Sequence, residues 1–371
     1  GNDEDAKDEH LDDTNKDDST ILLPPITIPI STALPEIFPS SHIYDACHPQ
    51  SGVPSMLRNV PIAGILGDQQ AALFGQCAFE SGKAKNTYGT GLFLMMNTGS
   101  GPNARVRSRH GLLTTVAYQI GASGDIVYAL EGSVSHSGST VQWLRDQLQI
   151  IDNAPESETL ASQVDTNDGL YFVPAFAGLF APHWRSDARA CIVGMTATHN
   201  KKHIARGALE AAAYQTREVF DAITSDSNVH LKDLRVDGGA TANKLLMQFQ
   251  ADIINVPVVR PKVMETTARG AAFAAGLAVN LWKNLDELCT LWREDVRFVP
   301  SMKEWERNKN WNGWKKAVSK SLGWVDAKDD NKDSFDNKVL CPFTSSKAIS
   351  NLVTISLSLM VGFIVGKAYR R

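Results

Sequence analysis

Gly64-Ile65-Leu66-Gly67-Asp68-Gln69-Gln70 sets a carboxylate and two carboxamides directly after a glycine turn. A carboxylate so placed can take the proton of a substrate hydroxyl, and a neighbouring amide can hold an adjacent hydroxyl. An aspartate at this point is also an ordinary cap for a helix starting near Gln69. Tyr88-Gly89-Thr90-Gly91 falls between two strand-like runs. Its glycines permit a tight hairpin that exposes backbone amides to a phosphate, and Thr90 adds a hydroxyl; a purely structural hairpin has the same signature. Glu131-Gly132-Ser133 leads through Gly138-Ser139-Thr140 to Gln142, at the start of an amphipathic helix. That start suits contact with an anion or a ribose, or simple capping. Val236-Asp237-Gly238-Gly239-Ala240, with Asn243 one turn on, is the strongest of the glycine signals. A strand, two glycines and a helix N-terminus aim amides and helix dipole the same way, as a nucleotide cradle requires. It fits neither the Walker A pattern nor G-x-G-x-x-G.

Other clusters read as structural. His199 and His203 are spaced like ligands, but Lys201 and Lys202 between them oppose a divalent cation, and no metal site is expected. Trp305, Trp311 and Trp314 have roughly helical spacing and read as a packing stripe. The five cysteines, Cys47, Cys77, Cys191, Cys289 and Cys341, contain no C-x-x-C pair, so they read as unpaired thiols.

Elements that could position these groups are legible around them. Strand-like runs cover Ala84 to Tyr88, Leu92 to Asn97, Leu112 to Gln119 and Ile126 to Leu130. A long helix follows from Lys202 to Ile223, then a strand from Leu231 to Val236 and a helix from Thr241 to Ile254. A further strand runs from Val256 to Arg260, and a small-residue helix suited to close packing from Thr267 to Leu281. Four strands followed by helix–strand alternation predict a mixed α/β domain, antiparallel first and parallel later.

The chain has 371 residues, 43% hydrophobic and 21% charged, which excludes a wholly disordered, collagen-like or multi-span membrane protein. The net charge of -4 is uneven: residues 1–18 hold nine acids and two lysines. No basic stripe with interleaved aromatics suggests a nucleic-acid partner. Residues 1–20 read as a disordered acidic segment, 21–61 as a proline-rich, extended or looped lead-in, and 62–325 as the nucleotide-binding domain. Residues 326–347 read as a polar linker. Residues 348–366 are 19 residues without a charge, about 28 Å as a helix, and predict a C-terminal membrane anchor.

In this order the pieces resemble the glycerol kinases, within the carbohydrate and polyol kinases of actin-like ATPase (ribonuclease H-like) fold. The resemblance rests on Gly67 to Gln76, Ala84 to Gly91, Trp184 to Arg189, Asp237 to Ala240, Met247 to Asp252 and Arg260-Pro261-Lys262, and runs from about Leu34 to Asp326. It implies an α/β domain whose mixed sheet is flanked by helices, and phosphoryl transfer from ATP to glycerol with Mg2+. It implies that Asp68 is the catalytic base and that Asp68 and Gln69 bind glycerol. Thr90, Gly138, Gln142, Gly239 and Asn243 become the ATP contacts. Family members close a cleft between two halves, and the match is to the C-terminal half, so the chain alone is expected to be inactive. Ser135-His136, Ala190 and Arg269 depart from the family's usual residues. Related tails imply the mitochondrial outer membrane facing the cytosol, with another cytosol-facing membrane or the cytoplasm as alternatives. A homo-oligomer, a non-catalytic membrane-anchored nucleotide-binding protein, and a kinase of another polyol or sugar also remain open at this point.

Overall fold

The computed structural model describes residues 35–49 and 52–326. The chain divides into Gly1–Phe38 and Pro39–Arg371; residues 35–38 of the first unit have no regular secondary structure. The second unit runs β1 (Ser41–Ala46), β2 (Pro61–Gly64), α1 (Asp68–Gly75), β3 (Lys83–Tyr88), β4 (Leu92–Ser100), β5 (Leu113–Tyr118), β6 (Val127–Val134), α2 (Gly138–Asp146), α3 (Glu156–Ala161), β7 (Tyr171–Val173), β8 (Cys191–Val193), α4 (Lys201–Ser227), β9 (Asp233–Asp237), α5 (Lys244–Ile254), β10 (Val258–Pro261), α6 (Thr266–Ala278), α7 (Leu285–Leu291), β11 (Glu294–Phe298) and α8 (Glu304–Ser321).

Seven strands form the central sheet in the order β11-β10-β9-β3-β4-β6-β5. β3, β4, β6 and β5 pair antiparallel, β9 and β10 continue from β3 in parallel, and β11 closes that edge antiparallel. The mixed sheet is the one the sequence predicts. Side chains alternate across it, as strand geometry demands. Leu94 and Met96 face a core shared with α4 and α5, whereas Met95 faces a second core shared with α1 and α6.

The two faces are built differently. α4 is opened by a capping box, Asn200 with His203, and stopped by Asn228 at φ 56°. Its buried Ala205, Ala208, Ala211 and Ala212 let it lie close to the sheet. On the other face α1 and α6 touch backbone to backbone. A Cβ on Gly270 would stand 1.8 Å from the Ala71 carbonyl, and one on Gly75 1.9 Å from that of Thr266. The small-residue pattern of α6 therefore serves contact with the helix that begins at Asp68.

In the lead-in, β1 and β2 pair antiparallel, and the Ser41 hydroxyl donates to the Ala274 carbonyl at 2.7 Å. The tryptophan stripe on α8 is real at two of three positions. Trp314 is fully buried and stacks on Tyr214 at 5.0 Å, and Trp311 lies under Arg217 at 4.3 Å, but Trp305 is exposed. The four described cysteines are unpaired.

One fold expectation is corrected. The spanning helix expected over 348–366 lies outside the described residues, as do the acidic segment and all but the first residue of the linker. Among the described residues no helix is long and apolar enough to cross a membrane. The 27-residue α4 has the length, but it carries Lys201, Lys202, Arg206, Glu210, Arg217, Glu218, Asp221 and Asp226. Within the described residues the fold is the α/β domain, and it includes no membrane-spanning helix.

Candidate active site

Asp68 is the first residue of α1, with Gly67 as the cap. Its carboxylate is exposed and accepts from its neighbour twice, at Oδ1 from the Gln69 amide (2.8 Å) and at Oδ2 from Gln69 Nε2 (3.2 Å). The helix N-terminus favours the negative charge there. Gln70 Nε2 donates to Thr115 Oγ1 at 3.1 Å, which ties this end of α1 to β5. Arg269, a departure from the family's apolar residue, donates from Nε to the Gly75 carbonyl at 2.9 Å and so ties α6 to α1, while its two terminal nitrogens are buried without a hydrogen-bond partner.

Below Gln69 lies Lys85, fully buried on the β3 face opposite the one that carries Asn86 and Tyr88. Its Nζ donates to Gln69 Oε1, to Thr87 Oγ1 (3.1 Å) and to the Phe93 carbonyl (3.0 Å). Loss of water pushes its amine down to about 8, against the opposing pull of the Asp237, Glu131 and Asp68 carboxylates. Burial raises the Glu131 carboxyl, with Lys85 acting against that rise and Asp68 adding to it.

The glycine loops meet beyond Thr87. Gly238 adopts φ +91°, and a Cβ there would stand 2.4 Å from the Tyr88 carbonyl, so the β9 turn rests on the β3–β4 hairpin. The same hairpin is strapped to α2. The amides of Ser137 and Ser139 donate to the Thr90 carbonyl, each at 3.0 Å, and that of Gly138 to Gly89 at 3.1 Å. These amides of the α2 start are thus spent on the hairpin rather than on a ligand. His136 Nδ1 lies 2.9 Å from Ser139 Oγ, which donates in turn to the Thr90 carbonyl at 3.1 Å. The departure at His136 thereby supports the strap. Asp237 is buried and accepts from Gln76 Nε2 (3.0 Å) and Thr266 Oγ1 (2.5 Å), so it fastens β9 to α1 and α6.

Two cavities flank Gly239, where a Cβ would find nothing within 4 Å. One, of about 510 Å³, is lined by Thr90, Gly138, Gln142, Gly239 and Asn243, all five of the residues expected to contact ATP. Its apolar wall comes from Ala208, Leu209 and Ala212 of α4 and Leu246 of α5. Asn243 also caps α5, accepting from the Leu246 amide at 2.9 Å through Oδ1, which leaves its Nδ2 out of that bond. The second cavity, of about 590 Å³, is lined by Thr87, Asp237, Gly238, Gly239, Arg260 and Lys262 among others. Arg260 is held there by Asp295 at 2.7 Å and by the Thr241 carbonyl at 2.9 Å. Asp68 and Gln69 line neither cavity; the Lys85–Thr87 contact connects them to the second.

Sequence reasoning gave no role to Lys85, Glu131 or the α4 wall. The α4 wall lies within the helix expected over Lys202 to Ile223, where core packing explains an apolar face equally well. His203 serves the α4 cap and faces Asp168 at 3.3 Å, and the Thr196 amide donates to His199 Nδ1 at 2.9 Å.

Residues 84–279 match the C-terminal domain of the FGGY family of carbohydrate kinases. The glycerol kinase of Renibacterium salmoninarum is 59% identical over 296 residues, 80% of this chain and 57% of that protein. That of Clavibacter michiganensis is 59% identical over 293 residues, 79% of this chain and 56% of that protein. The chain thus spans little more than half the length of the curated relatives it matches. Among solved structures, Plasmodium falciparum glycerol kinase with ADP superimposes with a TM-score of 0.74 at 42% identity, over 79% of this chain and 57% of that one. A xylulose kinase from Rhodospirillum rubrum, at 20% identity, 76% of this chain, 56% of its own and a TM-score of 0.63, shares the fold. The expected tail-anchored location at the mitochondrial outer membrane is corrected by these findings. The similarity runs to bacterial glycerol kinases, and among the described residues no helix can span a bilayer. The actin-like α/β sheet, its glycine loops and these matches make the chain a member of the FGGY family of carbohydrate kinases.

Proposed function

We propose that this chain supplies the nucleotide-binding wall and the catalytic base of an ATP-dependent kinase that phosphorylates glycerol. The observation that carries the reading is a continuous path. Asp68 leads through Gln69, Lys85 and Thr87 to a cavity that meets the five-residue nucleotide pocket at Gly239. ATP would lay its base against the α4 wall and its phosphates past Gly239, where the first amides of the 3-10 turn Gly239–Ala242 have no intrahelical acceptor. Asp68 would take the proton of the acceptor hydroxyl as its oxygen attacks the γ-phosphorus and ADP leaves. Gln69 would hold the neighbouring hydroxyl. Glycerol is favoured over a sugar because the relatives named glycerol kinase share far more of the sequence than the xylulose kinase does.

Among the described residues no group of three or more His, Cys, Asp or Glu is placed to hold a metal ion. Mg2+, implied by the resemblance, would enter on the nucleotide phosphates and offset their charge. Asp68 stands open to water, and phosphoryl transfer needs water excluded. The 371-residue chain on its own should therefore bind ADP yet turn over glycerol far more slowly than the full-length glycerol kinase of Renibacterium salmoninarum, of which it spans 57%. Asp68→Asn is the test. Glycerol-dependent ADP release by the protein purified from its source should fall at least ~100-fold with ADP affinity kept; unchanged turnover would remove Asp68 from the chemistry.

A further inference from the structure

We propose that Lys85 is a positioning residue: from beneath the cleft floor it fixes the Gln69 carboxamide, so that Gln69 Nε2 faces and orients the Asp68 carboxylate. This rests on the phosphoryl-transfer reading of Asp68 and Gln69. A lysine ammonium can only donate, so the amide oxygen of Gln69 must turn toward it and the amide nitrogen away. The nitrogen then meets Asp68 Oδ2 at 3.2 Å, while the Gln69 backbone amide holds Oδ1 at 2.8 Å. Both carboxylate oxygens are thereby fixed by one residue, and the orientation of that residue's side chain is decided by Lys85.

The cost of this arrangement argues that it serves the site. Lys85 is fully buried and all three of its acceptors are uncharged. A buried charge without a paired carboxylate is a poor choice for stability alone, and an apolar residue would fill the same space. The ammonium is also anchored independently of Gln69, by Thr87 Oγ1 and the Phe93 carbonyl, so it can act as a fixed reference for a side chain that is itself half-buried. Without it the Gln69 amide could flip, presenting its oxygen to the Asp68 carboxylate. Two acceptors would then oppose each other where the acceptor hydroxyl must dock.

The experiment reads Gln69 directly. In the 371-residue chain, the side-chain NH2 signal of Gln69 is identified by its loss in Gln69→Ala and followed in Lys85→Met. Its exchange with water should quicken at least ~10-fold while the ADP dissociation constant moves less than ~2-fold. In the protein purified from its source, Lys85→Met should lower kcat/KM for glycerol about 10- to 100-fold, and should lower it no further once Gln69 is alanine. Gln69→Glu, which keeps an acceptor for Lys85 but removes the donor to Asp68, should match that loss even if the methionine variant folds poorly. An unchanged Gln69 signal, additive losses in the double variant, or full activity of Gln69→Glu would each overturn the proposal. Absence of glycerol-dependent turnover in the unmutated protein purified from its source would instead overturn the kinase reading; the Gln69 signal then decides whether Lys85 fixes the amide.

Discussion

Replacing Lys85 by methionine should stabilise the fold at neutral pH while it weakens the site. The amine is depressed from 10.5 to about 8, so holding it charged when folded costs about 3 kcal/mol relative to the unfolded chain. Methionine removes that cost and forfeits the bonds to Thr87, Phe93 and Gln69, together roughly 1–2 kcal/mol once water reaches the half-buried Gln69. The net gain at pH 7 is about 1–2 kcal/mol. Its pH dependence is the sharper signature. Above pH 10.5 both states of the native chain hold the lysine neutral; between 8 and 10.5 only the unfolded state keeps the proton; below 8 both are charged and the cost is complete. The native chain therefore gains stability from this group as pH rises from 8 to 10.5, and the methionine variant does not. Urea unfolding of both proteins at pH 7, 8.5 and 10 isolates the effect, because all other titrations cancel in the difference. The advantage of methionine should shrink by about 2–3 kcal/mol across that range and vanish or reverse by pH 10. A difference that stays flat with pH would refute the argument, since Asp237, Glu131 and Asp68 would then be compensating the burial in full.

Gly270→Ala should cost about 3 kcal/mol or more in urea unfolding, because its Cβ would press on the backbone of Ala71 and α1 cannot move without carrying Asp68. Gly239→Ala should leave stability within about 0.5 kcal/mol, its surroundings being open, yet weaken ADP at least ~10-fold by isothermal titration if phosphates pass there. Gly238→Ala, at φ +91° and against Tyr88, should instead destabilise the fold, so equal effects at the two glycines would count against the cradle. Glu218 accepts from His183 and from Trp314 and raises the His183 pKa. That contribution is whole below pH 6.5 and is lost as pH rises through the raised value. Thermal unfolding of His183→Gln should lack this loss as pH rises above 6.5.

What could be read in the sequence follows from where each signal lives. β3 to β6 and α4 to α6 announce themselves because periodicity and glycine punctuation are local properties of the chain. Asp237-Gly238-Gly239 reads as a turn onto a helix start, and the structure has that turn, but its use of the Tyr88 backbone joins residues 150 positions apart. The α2 start shows the limit from the other side. Gly138 and Ser139 have the right chemistry for an anion, yet their amides are taken by Gly89 and Thr90, a competition that no local pattern records. The anchor over 348–366 was read from hydropathy alone, and lies outside the described residues.

Lys85 is the instructive case. In Ala84-Lys85-Asn86-Thr87-Tyr88 it stands next to Asn86 and one residue after Ala84, and strand alternation puts it on the face of Thr87 and Lys83. A lysine in such a run reads as solvated, yet Lys83 on the same face is itself only 18% exposed and pairs with the Asp233 carboxylate at 2.6 Å. What separates the two is not in β3 at all. It is α1, seated on that face by Gly75 and Gly270, that closes over Lys85 and brings Gln69 down to it. The contact that buries the lysine is thus the same contact that places Asp68. Loosening α1 from α6 should release both at once: Gly270→Ala should move the Lys85 amine back toward 10.5 and free the Gln69 amide, without any change in the site residues themselves. If the Gln69 signal stays unchanged in that variant while its stability falls, the seat of α1 and the order of the site are separate properties.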